Sequence, residues 1–201
     1  MQKTTADKVL KLARETGILR ARDLAAYNIP REYLGRLVKK GLLERHGRGL
    51  YMLASADLTE RHNFAQIAAK VPNGVICLLS ALSFHELTTQ SPPVVWLALP
   101  DKTWTPKLDY PPLRVCWYSP ASFSQGIETH RIEGRTVKVY GVARTIADCF
   151  KYRNKIGLDV ALEALRDAWR QKKASIGQIE KYAAVCRVSR VMRPYLEAVV
   201  G

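Results

Sequence analysis

The sequence lacks any apolar run near the roughly 18 residues that a bilayer span needs. Its longest candidate, around Val75 to Leu82, is interrupted by Ser80 and bounded by Gly74 and His85. The opening residues, Met1 to Asp7, have no apolar stretch of the kind a secretory leader carries. A cytoplasmic chain with no membrane partner is the expectation. Closely spaced cysteines are missing too. Cys77, Cys116, Cys149 and Cys186 are scattered along the chain, which excludes a zinc knuckle and a redox pair. They read as small buried hydrophobes of a reducing compartment.

The motifs of common enzymes are also missing. There is no GxxxxGK[ST] loop and no GxSxG elbow. His85-Glu86-Leu87-Thr88-Thr89 starts like a zincin helix, but Thr89 stands where the second histidine must be. His46, His62, His85 and His130 are too dispersed to suggest a metal site, and His85 reads as a half-buried, hydrogen-bonded residue. A metal-dependent nuclease needs paired carboxylates near a lysine. Pro100-Asp101-Lys102, Glu128 and Glu133-Gly134-Arg135 are only fragments of that pattern. No catalytic residue, metal or cofactor is therefore expected, and the chain reads as a non-enzyme. A degenerate nuclease-like enzyme and a protein-interaction module with a winged dock are the rival readings.

What the sequence has is positive charge. Its 201 residues carry 32 Lys+Arg against 18 Asp+Glu, a net charge of +14. That length is enough for a hydrophobic core without staples. The surplus is segregated: net +7 over residues 1–53, +1 over 54–150 and +6 over 151–201. A phosphate backbone responds to a patch and not to an average, so segregation points to a polyanion more than the total does.

The basic head has a recognisable order. Thr4 or Thr5 can cap a first helix, in which Ala6, Val9, Leu10 and Ala13 share one face and which Gly17 ends. A short helix over Ala21 to Tyr27 follows. Pro30 is placed to open a third helix, running to Lys40. Leu34, Leu37 and Val38 point inward on it, leaving Arg31, Glu32, Gly35, Arg36 and Lys39 outside. Two short apolar segments around Gly47-Arg48-Gly49 then make a β-hairpin. Helices followed by a hairpin in about 50 residues predict a winged helix-turn-helix over 1–54.

On that reading Arg31, Glu32, Gly35 and Arg36 face the groove of a DNA duplex. The arginine fork suits guanine, and Gly35 permits close approach. Glu32 either accepts from a cytosine or restrains Arg36. Arg48 is the wing tip. Arg20, Arg22, Lys39, Lys40 and Arg45 are candidate phosphate contacts, which position without specifying.

Residues 55–201 are expected to form a second domain. Its 55–141 portion reads as α+β with a mainly antiparallel sheet. Helices are expected over 57–70 and Ser80 to Leu87, and strands over Val94–Leu99, Leu113–Tyr118, Ile127–Ile132 and Thr136–Tyr140. The 142–201 portion reads as a helical bundle. Arg166, Arg170, Lys173, Arg190 and Arg193 recur at helical spacing as a possible second basic patch. That patch fits an extended DNA footprint, RNA binding or a solvated face. Thr145 and Asp148 share a helix face, either as a hydrogen-bonding brace or as part of an interaction site.

The run Ile29-Pro30-Arg31-Glu32-Tyr33-Leu34-Gly35-Arg36-Leu37-Val38-Lys39-Lys40-Gly41-Leu42-Leu43-Glu44-Arg45, closed by Arg48-Gly49-Leu50-Tyr51, resembles the N-terminal domain of AbiEi-type antitoxins. These are transcriptional regulators of type IV, abortive-infection toxin–antitoxin systems. The resemblance continues through Cys77 to Leu87, the strand before Pro100, Ala143 to Arg153 and Gly157 to Leu165. It implies a winged head that binds inverted repeats in its own promoter and represses the operon. It also implies a C-terminal domain that counters a nucleotidyltransferase toxin, generally without a stable complex.

Overall fold

The computed structural model describes residues 4–200. Met1–Lys3, part of the segment expected to lack a leader, and Gly201 lie outside the described residues. The chain is a mixed α+β protein, with helices first, sheets next and helices last. Among the described residues no helix is long and apolar enough to cross a membrane. The chain divides into two compact units. The first takes residues 1–72, 109–111 and 130–137; the second takes 73–108, 112–129 and 138–201. The first unit thus runs on past residue 54, where the sequence places a boundary, and gathers two distant segments.

In the first unit, α1 (Thr5–Thr16) starts at Thr4. The Thr4 side chain accepts from the Asp7 amide while the Asp7 carboxylate accepts from the Thr4 amide, so two otherwise unpaired helix-end donors are satisfied. Gly17 ends the helix at φ 65°. A Cβ there would lie 1.4 Å from the Glu133 carbonyl oxygen, so this position must be glycine for steric as well as conformational reasons. After β1 (Leu19–Arg20), residues Ala21–Tyr27 wind as a 3-10 helix.

Next comes α2, Glu32–Lys39. It starts two residues later than Pro30. The Tyr33 amide donates to the Pro30 carbonyl, so Pro30 and Arg31 make a lead-in turn outside the helix. Strands β2 (Leu43–Arg45) and β3 (Leu50–Leu53) form the hairpin, and β1 pairs with the other edge of β3, giving the order β1-β3-β2. Val9, Ala13, Leu19, Leu24, Ile29, Leu34, Leu37 and Leu43 are buried together as its core. The helix expected over 57–70 is shorter, α3 at His62–Lys70.

The second unit holds β4 (Val75–Ile76), α4 (Leu78–Phe84), β5 (Val95–Pro100), β6 (Leu113–Tyr118) and the short α5 (Pro120–Phe123). Strands β7 (Ile127–Ile132) and β8 (Arg135–Tyr140) meet in a turn grouped with the first unit. The five-stranded order is β6-β5-β4-β8-β7.

The expected mainly antiparallel sheet is instead mixed. β4 runs antiparallel to β5, but β4–β8 and β5–β6 are parallel. Residues 101–112 supply the long return that a parallel pair needs, about a dozen residues. The bundle that follows is α6 (Val142–Lys151), α7 (Arg153–Ile156), α8 (Leu158–Arg170), α9 (Ile176–Cys186) and α10 (Ser189–Val200). Helix α6 lies at the centre, with every residue from Ala143 to Phe150 buried. All four cysteines are buried and free. Burial pushes the Cys77 and Cys149 thiols well above the ordinary range, which makes them poor nucleophiles.

Candidate nucleic-acid interface

Helix α2 is amphipathic because Leu34 and Leu37 fall on one side and bind the core. The opposite side presents Arg31, Glu32, Gly35, Arg36, Lys39 and Lys40, all exposed. A Cβ built at Gly35 meets nothing within 4 Å, so packing does not require glycine there. Glycine inside a helix costs roughly 1 kcal/mol against alanine. The head therefore carries an unfilled, mildly destabilising spot in the middle of its most cationic helix face.

Arg36 is held from two sides. Its guanidinium lies 5.1 Å from the Tyr33 ring centroid and 3.8 Å from the Glu32 carboxylate. The group stays 64% exposed, so this pairing orients it more than it neutralises it. Arg48 is exposed at the hairpin tip between Gly47 (φ 127°) and Gly49 (φ 73°), which fold the tip tightly. Arg45 is exposed on β2 and donates to the Gly47 carbonyl at 3.3 Å. Arg22 is exposed on the 3-10 helix. Among the described residues, Arg22, Arg31, Lys39, Lys40, Arg45 and Arg48 have no ion-pair partner.

Arg20 differs from the phosphate-contact expectation. It is half-buried, pairs with Asp23 at 2.6 Å and donates to the Ala69 carbonyl at 3.2 Å. Arg135, the first residue of β8, also reaches Asp23 at 3.2 Å and donates to the Ile18 carbonyl. Burial raises the Asp23 carboxyl, but hydrogen bonds from Arg20 and Arg135 outweigh it and hold the group below its ordinary value. Arg20 therefore braces the head from inside.

A second brace sits at the β7–β8 turn. Glu133 accepts from the Thr59 amide and hydroxyl at 2.8 and 2.9 Å, and its other oxygen lies 2.6 Å from His62 Nδ1. Burial raises this carboxyl, and the His62 and Thr59 bonds more than reverse that, so it too is lowered. Glu133, a nuclease fragment in sequence, is a structural acceptor here. Sequence reasoning could not find this pairing, because His62 and Glu133 are 71 residues apart. Among the described residues no cluster of His, Cys, Asp or Glu could hold a metal ion.

Thr145 and Asp148 sit in the core of the second unit. Thr145 donates to the Tyr140 carbonyl at 2.9 Å, and His85 Nε2 bonds the same oxygen at 2.8 Å. Asp148 accepts from Arg144 Nε at 3.0 Å and from the Cys186 thiol at 3.2 Å. Arg144, which the sequence does not mark as a core residue, is fully buried. It donates to the Ser122 carbonyl and hydroxyl at 2.8 and 3.0 Å and lies over the Tyr140 ring at 4.7 Å. Burial disfavours its charge, but Asp148 more than compensates and holds it above its ordinary value. The signal for it was an i,i+4 Arg–Asp pair in an otherwise apolar helix.

Arg166, Arg170, Lys173, Arg190 and Arg193 are all exposed. Arg170 pairs with Asp167 at 2.8 Å and Arg193 with Glu197 at 2.9 Å. Lys173 donates to the His85 carbonyl at 2.6 Å. Arg166 and Arg190 have no ion pair among the described residues.

With the α2 face and the hairpin in place, the comparison with known proteins meets the same residues. Residues 7–54 match the family described as transcriptional regulator, AbiEi antitoxin. The matched segment covers most of α1, the 3-10 helix, α2 and the β2–β3 hairpin, and it ends just past the hairpin. The fold of the whole chain is similar to the crystal structure of RV2827C protein from Mycobacterium tuberculosis. The TM-score is 0.62 at 13% identity, over 98% of this chain and 81% of the other. At that identity the likeness is one of fold. No curated protein matches the chain.

Proposed function

We propose that the chain is a cytoplasmic, non-enzymatic transcriptional regulator and antitoxin. Its head, residues 1–54, acts as a winged helix-turn-helix that binds inverted repeats in its own promoter and represses its operon. Helix α2 enters the major groove, with Arg31, Glu32, Gly35 and Arg36 toward base edges. Arg48 reaches along the groove from the wing, and Arg22, Lys39, Lys40 and Arg45 hold phosphates. Residues 55–201 counter a nucleotidyltransferase toxin of a type IV, abortive-infection system without holding it in a stable complex.

The observation that carries this reading is the outer face of α2, cationic and bare at Gly35 with no packing reason for the glycine. The AbiEi match over the same segment supports it. Gel shifts on the DNA upstream of the gene, against scrambled DNA at several salt concentrations, test it. Preference for the native sequence with a steep salt dependence is expected. Equal affinity for both probes refutes regulation by this head. Co-expression with the neighbouring open reading frame tests the antitoxin half: rescue of growth without a co-purifying complex is the expected outcome.

A further inference from the structure

Helix α8 buries Val160, Ala161, Ala164, Leu165 and Ala168. Away from that face its last two turns present Arg166, Trp169 and Arg170, and Lys172 and Lys173 follow in the next turn, all exposed. Arg166, Trp169 and Arg170 are spaced i, i+3 and i+4, so they line one side, and the chain then leaves the helix at Lys172, which has φ 55°. Arg170 and Lys173 are partly engaged, with Asp167 at 2.8 Å and Glu86 at 3.9 Å. Arg166 and Lys172 have no ion pair among the described residues.

The helix dipole explains cations at a C-terminal end. It does not explain an indole left 39% exposed among them. A flat aromatic face flanked by unpaired cations is the arrangement that stacks an unpaired base and holds its phosphates. A duplex shields its base faces by pairing and stacking, so phosphate contacts alone would give Trp169 nothing to do. A membrane surface would call for more exposed apolar residues than one indole.

From this we infer that the C-terminal half of α8 is a binding site for single-stranded nucleic acid, separate from the duplex-binding face of α2. Trp169 stacks one base, Arg166 and Lys172 hold the flanking phosphates, and Arg170 and Lys173 add a weaker, partly neutralised field. The site stands whether or not the head regulates its own promoter, since it uses none of the same residues.

Fluorescence anisotropy on the full chain tests it, with labelled oligouridine, oligodeoxythymidine and a random-sequence duplex as probes. Trp169→Ala is expected to weaken single-strand binding about tenfold, while Trp169→Tyr, which keeps a stacking ring, stays within about threefold of the parent. The pair Arg166→Ala with Lys172→Ala is expected to weaken binding and flatten its salt dependence. Duplex affinity should be unchanged in Trp169→Ala. Tighter binding of oligouridine assigns RNA as the ligand, and tighter binding of oligodeoxythymidine assigns DNA. Melting curves identify any loss that comes from unfolding, and Trp169→Tyr with the double alanine variant carries the test if Trp169→Ala does not fold. No single-strand binding by the parent chain overturns the inference. So does unaltered binding after both sets of substitutions, or duplex affinity that falls in step with single-strand affinity.

Discussion

Helices α2 and α6 each carry an arginine paired with an acid four residues away: Glu32–Arg36 in one, Arg144–Asp148 in the other. The two pairs have opposite surroundings. Arg36 is mostly exposed, touched among the described residues by a ring and one carboxylate, and has donors to spare. Arg144 is sealed, with its donors spent on Asp148, Ser122 and Gln125. One arginine can recruit a ligand and the other can only hold the fold. Net charge counts both equally, so a charge total overstates the interface and a list of motifs overlooks the core.

That contrast can be broken most forcefully at Arg144. Arg144→Ala leaves the Asp148 carboxylate buried and unpaired and is expected to cost about 3–5 kcal/mol by urea denaturation. Promoter affinity per folded molecule should stay at the parent value. The double change Arg144→Met with Asp148→Leu should recover most of the loss, because neither charge is then stranded. A single variant as stable as the parent would mean that the sealed pair does not hold the fold.

Arg36→Ala probes the other side. It should lose roughly 1–3 kcal/mol of discrimination between native and scrambled DNA, with the denaturation midpoint nearly unmoved. An equal loss on both DNAs would reassign Arg36 to a phosphate.

Gly35→Ala is subtler and separates the two properties in a single residue. Stability should rise by roughly 0.5–1 kcal/mol, as for alanine in any open helix site. Binding should weaken, because the new methyl fills the bare spot. Better folding together with unchanged binding would place α2 outside the groove.

The smallest expected effect is in pH. Glu133 and Asp23 are both held below their ordinary values in the folded chain. A lowered carboxyl contributes stability that is full above its unfolded pKa and is lost as pH falls through the folded one. Stability should therefore be level near neutrality and decline below the ordinary carboxylate range, near pH 4. Glu133→Gln should flatten part of that decline in denaturation midpoints taken across the acid range.

Local signals gave away the head. Thr4 with Asp7, Gly17, the Leu34/Leu37 stripe and the Gly47/Gly49 tip each act within a few residues, so composition and period suffice to place them. The mixed sheet is not legible in the sequence for a physical reason. β4 is only Val75–Ile76, too short for any period, yet it sits centrally and joins β5 to β8. The His62–Glu133 and Asp23–Arg135 contacts were invisible because nothing local ties their partners together. Arg144 was hidden by its type, since an arginine in a sequence reads as surface until its surroundings are known. Among the candidate contacts only Arg20 turned inward, drawn there by Asp23 three residues on.

One feature of the architecture bears on how the protein can be taken apart genetically. The first compact unit is not a continuous stretch, since residues 130–137 belong to it and supply Glu133 and Arg135. A stop codon after residue 72 removes the acceptor for Thr59 and a donor to the Ile18 carbonyl together with everything else downstream, and one after residue 54 removes that donor and Thr59 as well. A truncated head that fails to repress would then report lost support, not a lost ligand contact. Deletion mapping, the usual first step with a two-part protein, would credit the C-terminal half with a DNA-binding role it need not have. Point substitutions on α2 and α8 in the full chain keep the two proposed activities apart.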